Sequence, residues 1–360
     1  MKKAKKGKYI SLIVVTLLML FSLPFSTLIN SLINKTLDKT KIVSKNDQLL
    51  IHFINVGEAD AMAINFPNGE IAIIDTGRSE SIYQFLSYID DNVINSKRDK
   101  IIDYLFFTHC DTDHIGGLTS VLARYDVKNV YRPRQFSDIE EVSDIYGYVT
   151  SGEEYRKCIT DITNEGCNFT IVADNMVINI GEVELKIFSP YKKYTSSNEY
   201  SYLIKLTYRN KSVLFTGDAS EKVEVDIMAM HYMELDSDIL KVAHHGANDS
   251  TSIDFLQCVS PEYAVISVGS NLYGHPTEAV LNKLSTCGVT VFRTDNDGNI
   301  LLKLTNNIEF LTDYYSFTPL EITWTKVCLV IILIELLIVS LDIVKFVIKY
   351  IKKKKLQSNG

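Results

Sequence analysis

Thr108-His109-Cys110-Asp111-Thr112-Asp113-His114-Ile115-Gly116-Gly117 follows the apolar run Ile102-Asp103-Tyr104-Leu105-Phe106 and leads into a helical pattern. Two histidines and two aspartates within six residues, set where a strand ends and a helix begins, offer four nitrogen and oxygen donors on one tight turn. Mixed imidazole and carboxylate donors suit Zn²⁺ or Mn²⁺, whereas all-oxygen cages suit Ca²⁺ and Mg²⁺. A solvated acidic loop is the ordinary alternative. Candidate ligands recur downstream and weigh against it: Asp218 in Leu214-Phe215-Thr216-Gly217-Asp218-Ala219, and His244 and His245 in Lys241-Val242-Ala243-His244-His245-Gly246. Each follows a short apolar strand and precedes a small residue, so each donor sits where a loop lets a metal approach.

Outward from this motif, residues 48–312 alternate short β-branched runs with helical patterns. Strands are expected at residues 49–56, 62–67, 70–75 and 101–109, with helices from Ser79 to Ile89 and from Ile115 to Tyr125. Residues 201–209 and 212–218 read as a hairpin turning at Asn210. Later runs precede and follow a helix from Thr277 to Ser285. Hairpins mixed with strand-helix-strand units predict α/β architecture with two mixed sheets and helices outside them. Residues 135–170 are the least regular and read as an insertion. The chain has six cysteines in 360 residues and no CxxC pair, which excludes a disulfide scaffold, a zinc ribbon and a thioredoxin-type site. Cys158 and Cys167 would be able to bridge in an oxidising compartment, with two thiols the equal alternative.

Taken together, these stretches resemble the metallo-β-lactamase fold superfamily, and within it the hydrolase domain of ComEC-type DNA-uptake proteins. His52-Phe53-Ile54-Asn55-Val56-Gly57-Glu58-Ala59-Asp60-Ala61 is similar to that family's HFIDVGQGDA opening, and Ile73-Ile74-Asp75-Thr76-Gly77 to its IDTG turn. THCDTDHIGG, LFTGDA, LKVAHHG, SVGSNLYGHP and RTDNDGNI then follow in the family's order. The resemblance implies a four-layer αββα sandwich and a centre of two divalent ions, Zn or Mn. It implies that His109 and Asp111 bind one ion, Asp113 and His114 the other, and that Asp218 bridges them. Of His244 and His245, His244 is the one expected to complete the ligands of the second metal, with His245 a further ligand or a residue bracing one. Asn198 stands at a further ligand position, and Asp75 is expected to brace the metal loop through hydrogen bonds.

The resemblance also implies catalytic roles for Asp113 and His275, and contacts from Ser250 and Ser252 to a substrate phosphate. The sequence departs from the family's pattern at Glu58, Ala59 and Ala247, which bears on the substrate more than on metal binding. β-Lactam hydrolysis is disfavoured because Asp111 replaces the second histidine of the usual HxHxDH loop. His52 reads as a structural histidine, and Cys110 is expected to point away from the metals. Arg132 and Arg134 read as solvated loop residues. The substrate expected is a phosphodiester, DNA among the candidates, with a cell-envelope phosphoester or another small ester as the alternative. A degenerate domain serving as a surface sensor or assembly partner is the non-enzymatic alternative.

Charge is segregated along the chain. Five lysines in the first eight residues and six in the last sixteen turn an overall −7 into −18 for the residues between them. An acidic middle argues against a broad basic surface for a polyanion. Residues 9–34 carry no charge and are long enough to span a bilayer, and residues 35–47 read as a tether. Residues 318–348 form a second apolar block, with Trp324 at its entrance and Lys352–Lys355 after it, read as a second span or a membrane-associated helix. Basic ends 1–8 and 349–360 are then expected in the cytoplasm, with residues 48–312 outside the cell membrane and both lipid and membrane proteins as partners. Two apolar blocks are too few for a multi-span channel.

Overall fold

The computed structural model describes residues 47–94, 100–134 and 152–313, the side chains of 152–156 excepted. Both apolar blocks and both basic ends lie outside the described residues. Among those described, no helix is long and apolar enough to cross a membrane.

The chain lays down one sheet with β1 (Leu49–Phe53), β2 (Ala61–Asn65), β3 (Ile71–Thr76), β4 (Ile101–Phe106), β5 (Asp126–Arg132) and β6 (Asn168–Ile171). A second sheet follows with β7 (Val177–Ile180), β8 (Val183–Phe188), β9 (Leu203–Tyr208), β10 (Lys211–Phe215), β11 (Ile239–Lys241), β12 (Tyr263–Ile266) and β13 (Thr290–Arg293). β14 (Ile300–Leu304) and β15 (Ile308–Thr312) return to the first sheet, whose order is β15-β14-β1-β2-β3-β4-β5-β6; the second runs β13-β12-β11-β10-β9-β8-β7. Both sheets are mixed, as the sequence predicts. In the first, β3 through β6 are parallel and the remaining neighbours antiparallel. In the second, β10 through β13 are parallel.

Alternation along the strands explains the layers. Met62, Ile64, Ala72 and Ile74 face the other sheet and join Phe53, Phe215 and Ile239 in the central core. Ala61, Ala63, Ile71 and Ile73 face the opposite way, against Phe85, Leu118 and Ile162 from outer helices. Leu214, Leu240 and Ala264 do the same for the second sheet, against Ile227, Leu256 and Val280. Strands buried on both faces are apolar at nearly every position, which is why β1 to β3 read as continuous runs and not as alternating ones. Helices therefore cover both sheets, and the four-layer αββα arrangement holds for the described residues.

Two expectations are corrected in detail, and one open alternative is decided. The expected helix from Ile115 to Tyr125 is two, Thr112–Ile115 and Leu118–Arg124, because a Cβ at Gly116 would lie 2.5 Å from the Thr112 carbonyl oxygen and one at Gly117 2.5 Å from that of Thr76. Part of the supposed insertion is regular: helix Gly152–Glu165 places Cys158 and Ile162 in the first outer core, and β6 extends the sheet. Cys158 and Cys167 do not form a disulfide. The Thr277 side chain caps helix Glu278–Thr286, as its placement before the apolar pattern suggests.

Candidate metal centre

Parallel strands β3 and β4 of one sheet, and β10 and β11 of the other, end at the same rim of the sandwich. Their carboxyl-terminal loops carry Asp75, the Thr108–His114 turn, Asp218 and the His244-His245 pair.

Asp75 builds the first loop. Its backbone is left-handed (φ 56°), and its carboxylate accepts hydrogen bonds from Thr108 N and Oγ1, both at 2.8 Å. The same group holds His114 Nδ1 at 2.8 Å, which turns Nε2 away from it. Asp111 occupies the N-cap of the Thr112–Ile115 helix, yet its side chain caps nothing. That carboxylate is left for another partner. Gly217, at φ 51°, lets the Asp218 loop close on Thr108, where a Cβ would sit 2.8 Å from the threonine side chain.

The donors converge. His114 Nε2 lies 3.2 Å from Asp218 Oδ1, His109 Nε2 is 3.7 Å from Asp111 Oδ2 and 3.9 Å from Asp218 Oδ2, and His245 Nε2 is 3.8 Å from Asp113 Oδ2 and 4.0 Å from Asp218 Oδ2. Two ligands bound at about 2.1 Å to one tetrahedral ion stand about 3.4 Å apart, so these spacings are those of a ligand cluster. His109, His114 and Asp218 make one group and Asp113, His114 and His245 another. Buried polar atoms at the cluster have no hydrogen-bond partner: His109 Nε2, Asp111 Oδ1, His114 Nε2, Asp218 Oδ1 and His245 Nε2. Such atoms cost free energy unless something satisfies them, and bound divalent cations would supply that partner.

Protons show the same demand. Burial opposes charge on His114, but Asp218 and Asp75 outweigh it and raise its pKa well above the ordinary histidine value. Burial likewise opposes charge on His245, which Asp218, Asp113 and Asp60 nevertheless push up to about 9. Asp218, despite its burial, is held well below the usual carboxylate range by His114 and His245. His109 moves down, through burial and its neighbour His114. The carboxylates of the site thus call for positive charge beside them.

A rim surrounds the cluster. Glu58 is its tie: Oε1 accepts from His275 Nδ1 at 3.0 Å, Oε2 accepts from Gly269 N and Asn271 Nδ2, and the backbone oxygen accepts from Arg78 Nε at 3.0 Å. Arg78 also pairs with Asp113 at 2.9 Å. His244 lies on this rim, its Nε2 3.3 Å from Asn198 Nδ2 and its ring 5.6 Å from that of His275.

Residues 54–270 match the sequence pattern of the metallo-beta-lactamase superfamily. The chain belongs to this superfamily. It is 28% identical over 291 residues to ComE operon protein 3 of Bacillus subtilis, covering 77% of this chain and 36% of that protein. It is 27% identical over 256 residues to Recombination protein 2 of Haemophilus influenzae, covering 69% and 28%, and 40% identical over 108 residues to Competence protein ComA of Neisseria gonorrhoeae, covering 30% and 16%. The chain therefore spans little more than a third of the length of these relatives, or less. Among solved structures, the metallo-beta-lactamase fold protein YhfI of Bacillus subtilis superposes with a TM-score of 0.47 at 11% identity, over 72% of this chain and 100% of that one.

Within this superfamily domain, His109, Asp111, Asp113, His114 and Asp218 come together as the motifs suggest, and Asp75 makes the bracing hydrogen bonds. Both histidines of the pair border the cluster. Both residues have left-handed backbones (φ 50° and 53°), and the turn sends His245 inward, its Nδ1 fixed by the Ser267 carbonyl at 2.8 Å. His244 is the more exposed of the two, yet its Nε2 also lies 3.9 Å from Asp218 Oδ2, within the spacing of the other donors. Ser250 and Ser252 are also corrected: the Ser250 hydroxyl is buried and donates to the Ala243 and Ala247 carbonyls, while Ser252 caps helix Ile253–Val259 through Phe255 N. Both hydroxyls are occupied by the fold. His52 is structural as read, bonded to Tyr88 and Asn65 at 3.0 and 2.9 Å. Cys110 packs in the outer core.

Sequence reasoning missed Arg78, the Glu58–His275 contact and the buried pair Lys241–Asp60. Lys241 between apolar residues of β11 was the available signal, since a lysine there requires a buried anion.

Proposed function

We propose that this domain is a dinuclear metal-dependent phosphodiesterase, with DNA as a substrate. One observation carries the reading: five orphaned donor atoms on His109, Asp111, His114, Asp218 and His245 face one another at the rim. His109 and Asp111 would hold one ion, Asp113, His114 and His245 the other, and Asp218 would touch both. Zn²⁺ or Mn²⁺ suits this donor set, and two such ions would supply the positive charge that lowers the pKa of an attacking water and offsets charge on phosphate oxygens.

The chain's own groups do the rest. Asp75 and the Ser267 carbonyl fix the His114 and His245 rings so that Nε2 points inward. Arg78 restrains Asp113 and adds a cation beside it. Glu58 orients His275 at the mouth, where it would give a proton to the leaving oxygen. Homology to proteins named for competence and recombination supports DNA over other phosphodiesters.

Residues 9–34 and 318–348 would anchor the domain in the cell membrane with both basic ends in the cytoplasm and the catalytic domain outside, where other membrane proteins would be its partners. The test is hydrolysis by the purified chain loaded with Zn²⁺ or Mn²⁺. Cleavage of small chromogenic phosphodiesters that is insensitive to salt, with DNA binding that weakens as salt rises, is expected for an acidic protein holding a local cationic site. Cleavage of carboxylic esters or amides with no phosphodiester cleaved overturns the phosphodiester reading and leaves a metallohydrolase.

A further inference from the structure

The loop Asn271-Leu272-Tyr273-Gly274-His275 stands on the rim of the cleft and carries an unusual pair of side chains. Leu272 is fully exposed and Tyr273 is 72% exposed. Exposed apolar groups commonly sit on mobile loops, but this one is pinned. The Asn271 side chain donates to Glu58 Oε2 and to the Gly269 and His275 carbonyls, and accepts from Gly274 N and His275 N. The contacts of this one amide with Glu58 and four backbone groups, its two N–H protons shared among three acceptors, pin the loop, so Leu272 and Tyr273 project from a held turn.

The Tyr273 ring stacks on His275, with centroids 5.6 Å apart and planes 25° from parallel. His275 in turn lies 5.6 Å from His244, whose Nε2 is 3.9 Å from Asp218. Tyr273 is therefore joined to the donor cluster through two intervening rings, His275 and His244, on the side of the rim from which a substrate strand would leave the metals. A fixed aromatic face offers stacking to any base, but only when that base is not already stacked in a duplex.

We propose that Tyr273, flanked by Leu272, is a stacking platform for an unpaired nucleobase next to the scissile phosphate, and that it makes single-stranded nucleic acid the preferred substrate class. The proposal rests on the phosphodiesterase reading above and adds what that reading lacks, a contact that recognises the base. The acidic domain disfavours long electrostatic contact with a duplex, so a local stacking contact contributes more here than on a basic protein.

The test is calorimetric binding of two unlabelled, phosphorothioate-linked four-nucleotide single strands to the Zn²⁺-loaded full chain, one of thymidines and one entirely abasic, beside cleavage of bis(4-nitrophenyl) phosphate. The thymidine strand should bind about tenfold more tightly than the abasic one. Tyr273→Ala should remove that preference without changing affinity for the abasic strand, and Tyr273→Phe should keep it. Equal binding of both strands to the wild type, with cleavage intact, overturns the platform and leaves the phosphodiesterase reading standing. Persistence of the preference in Tyr273→Ala also overturns it. Failure to bind either strand together with no cleavage of any phosphodiester overturns the parent reading and the platform with it.

Discussion

Lys241 Nζ lies 2.6 Å from Asp60 Oδ2, and both side chains are completely buried where the two sheets meet behind the donor cluster. The pair links β11 to the loop before β2, and Asp60 Oδ1 in turn stands 3.6 Å from His245 Nδ1. Fold and site share this contact. Lys241→Met should leave Asp60 charged without its ammonium partner, costing about 3 kcal/mol. Asp60→Asn combined with Lys241→Met should recover much of that loss, since no bare charge remains. Chemical denaturation of the two variants checks the order; equal destabilisation would show that packing, not charge pairing, dominates.

Asp218 belongs to the donor cluster, whereas His52 is bound within the first sheet and its outer helices. Asp218→Ala should release metal and abolish hydrolysis, and His52→Ala should leave metal content intact while lowering stability. Metal analysis of the two purified variants decides; wild-type metal content in Asp218→Ala would remove the proposed role of that carboxylate.

His52 also gives stability a pH dependence of its own. Burial lowers its pKa to about 4, against a model-peptide value of 6.5. The unfolded chain then binds a proton between pH 6.5 and 4 that the folded chain refuses, so this group contributes lost stability as pH falls through that window, roughly 3 kcal/mol in all. His52→Gln should flatten the stability profile between those pH values. An unchanged slope in the variant would assign the dependence to other groups.

Metal binding should release protons, because His114 and His245 hold them in the metal-free site and a ligating imidazole must be neutral. With His245 titrating at about 9 and His114 raised in the same direction, both protons are present at pH 7. Affinity for Zn²⁺ should rise with pH across the neutral range, by up to about 100-fold per pH unit when two protons leave. Calorimetry in buffers of different ionisation enthalpy counts them. Release of no protons at pH 7 would mean that the histidines are already neutral.

The motifs located the centre because strand ends are local: an apolar run followed by His, Asp and Gly states where the chain stops being a sheet and starts offering donors. What the sequence could not state was rotation within a motif. His244 and His245 are adjacent and chemically identical, and only the left-handed backbone at both, closed by the Ser267 carbonyl from another strand, decides which one faces Asp113. Ser250 and Ser252 failed for a related reason, since a hydroxyl beside a cleft and one capping a helix look the same in a string of letters. Glu58 and His275 are 217 positions apart. Their contact depends on the fold closing, so neither residue alone announced it. The helix break at Gly116-Gly117 was visible as a glycine pair but took its meaning from Thr76 and Ser79, which pack where a Cβ would go.

Asp75 touches no other donor of the cluster than His114, and that makes it a clean probe of how the loop is held. Its Oδ2 accepts from His114 Nδ1 and from Thr108 Oγ1, and its Oδ1 from Thr108 N. Asp75→Asn retains size and one oxygen, but the new amide cannot accept all three bonds, and the ring or the threonine must turn. A histidine whose outer partner is lost becomes a weaker and less well oriented ligand, so metal affinity should fall about 10–100-fold while the fold persists. Asp75→Ala should lose more, because the backbone N–H of Thr108 is then buried without an acceptor, at about 1–3 kcal/mol of stability. Competition against a chromogenic chelator measures the first effect and thermal unfolding the second. Wild-type affinity in Asp75→Asn would mean that the Thr108–His114 turn holds its shape without this carboxylate, and that Gly217 and the glycine pair suffice to set it.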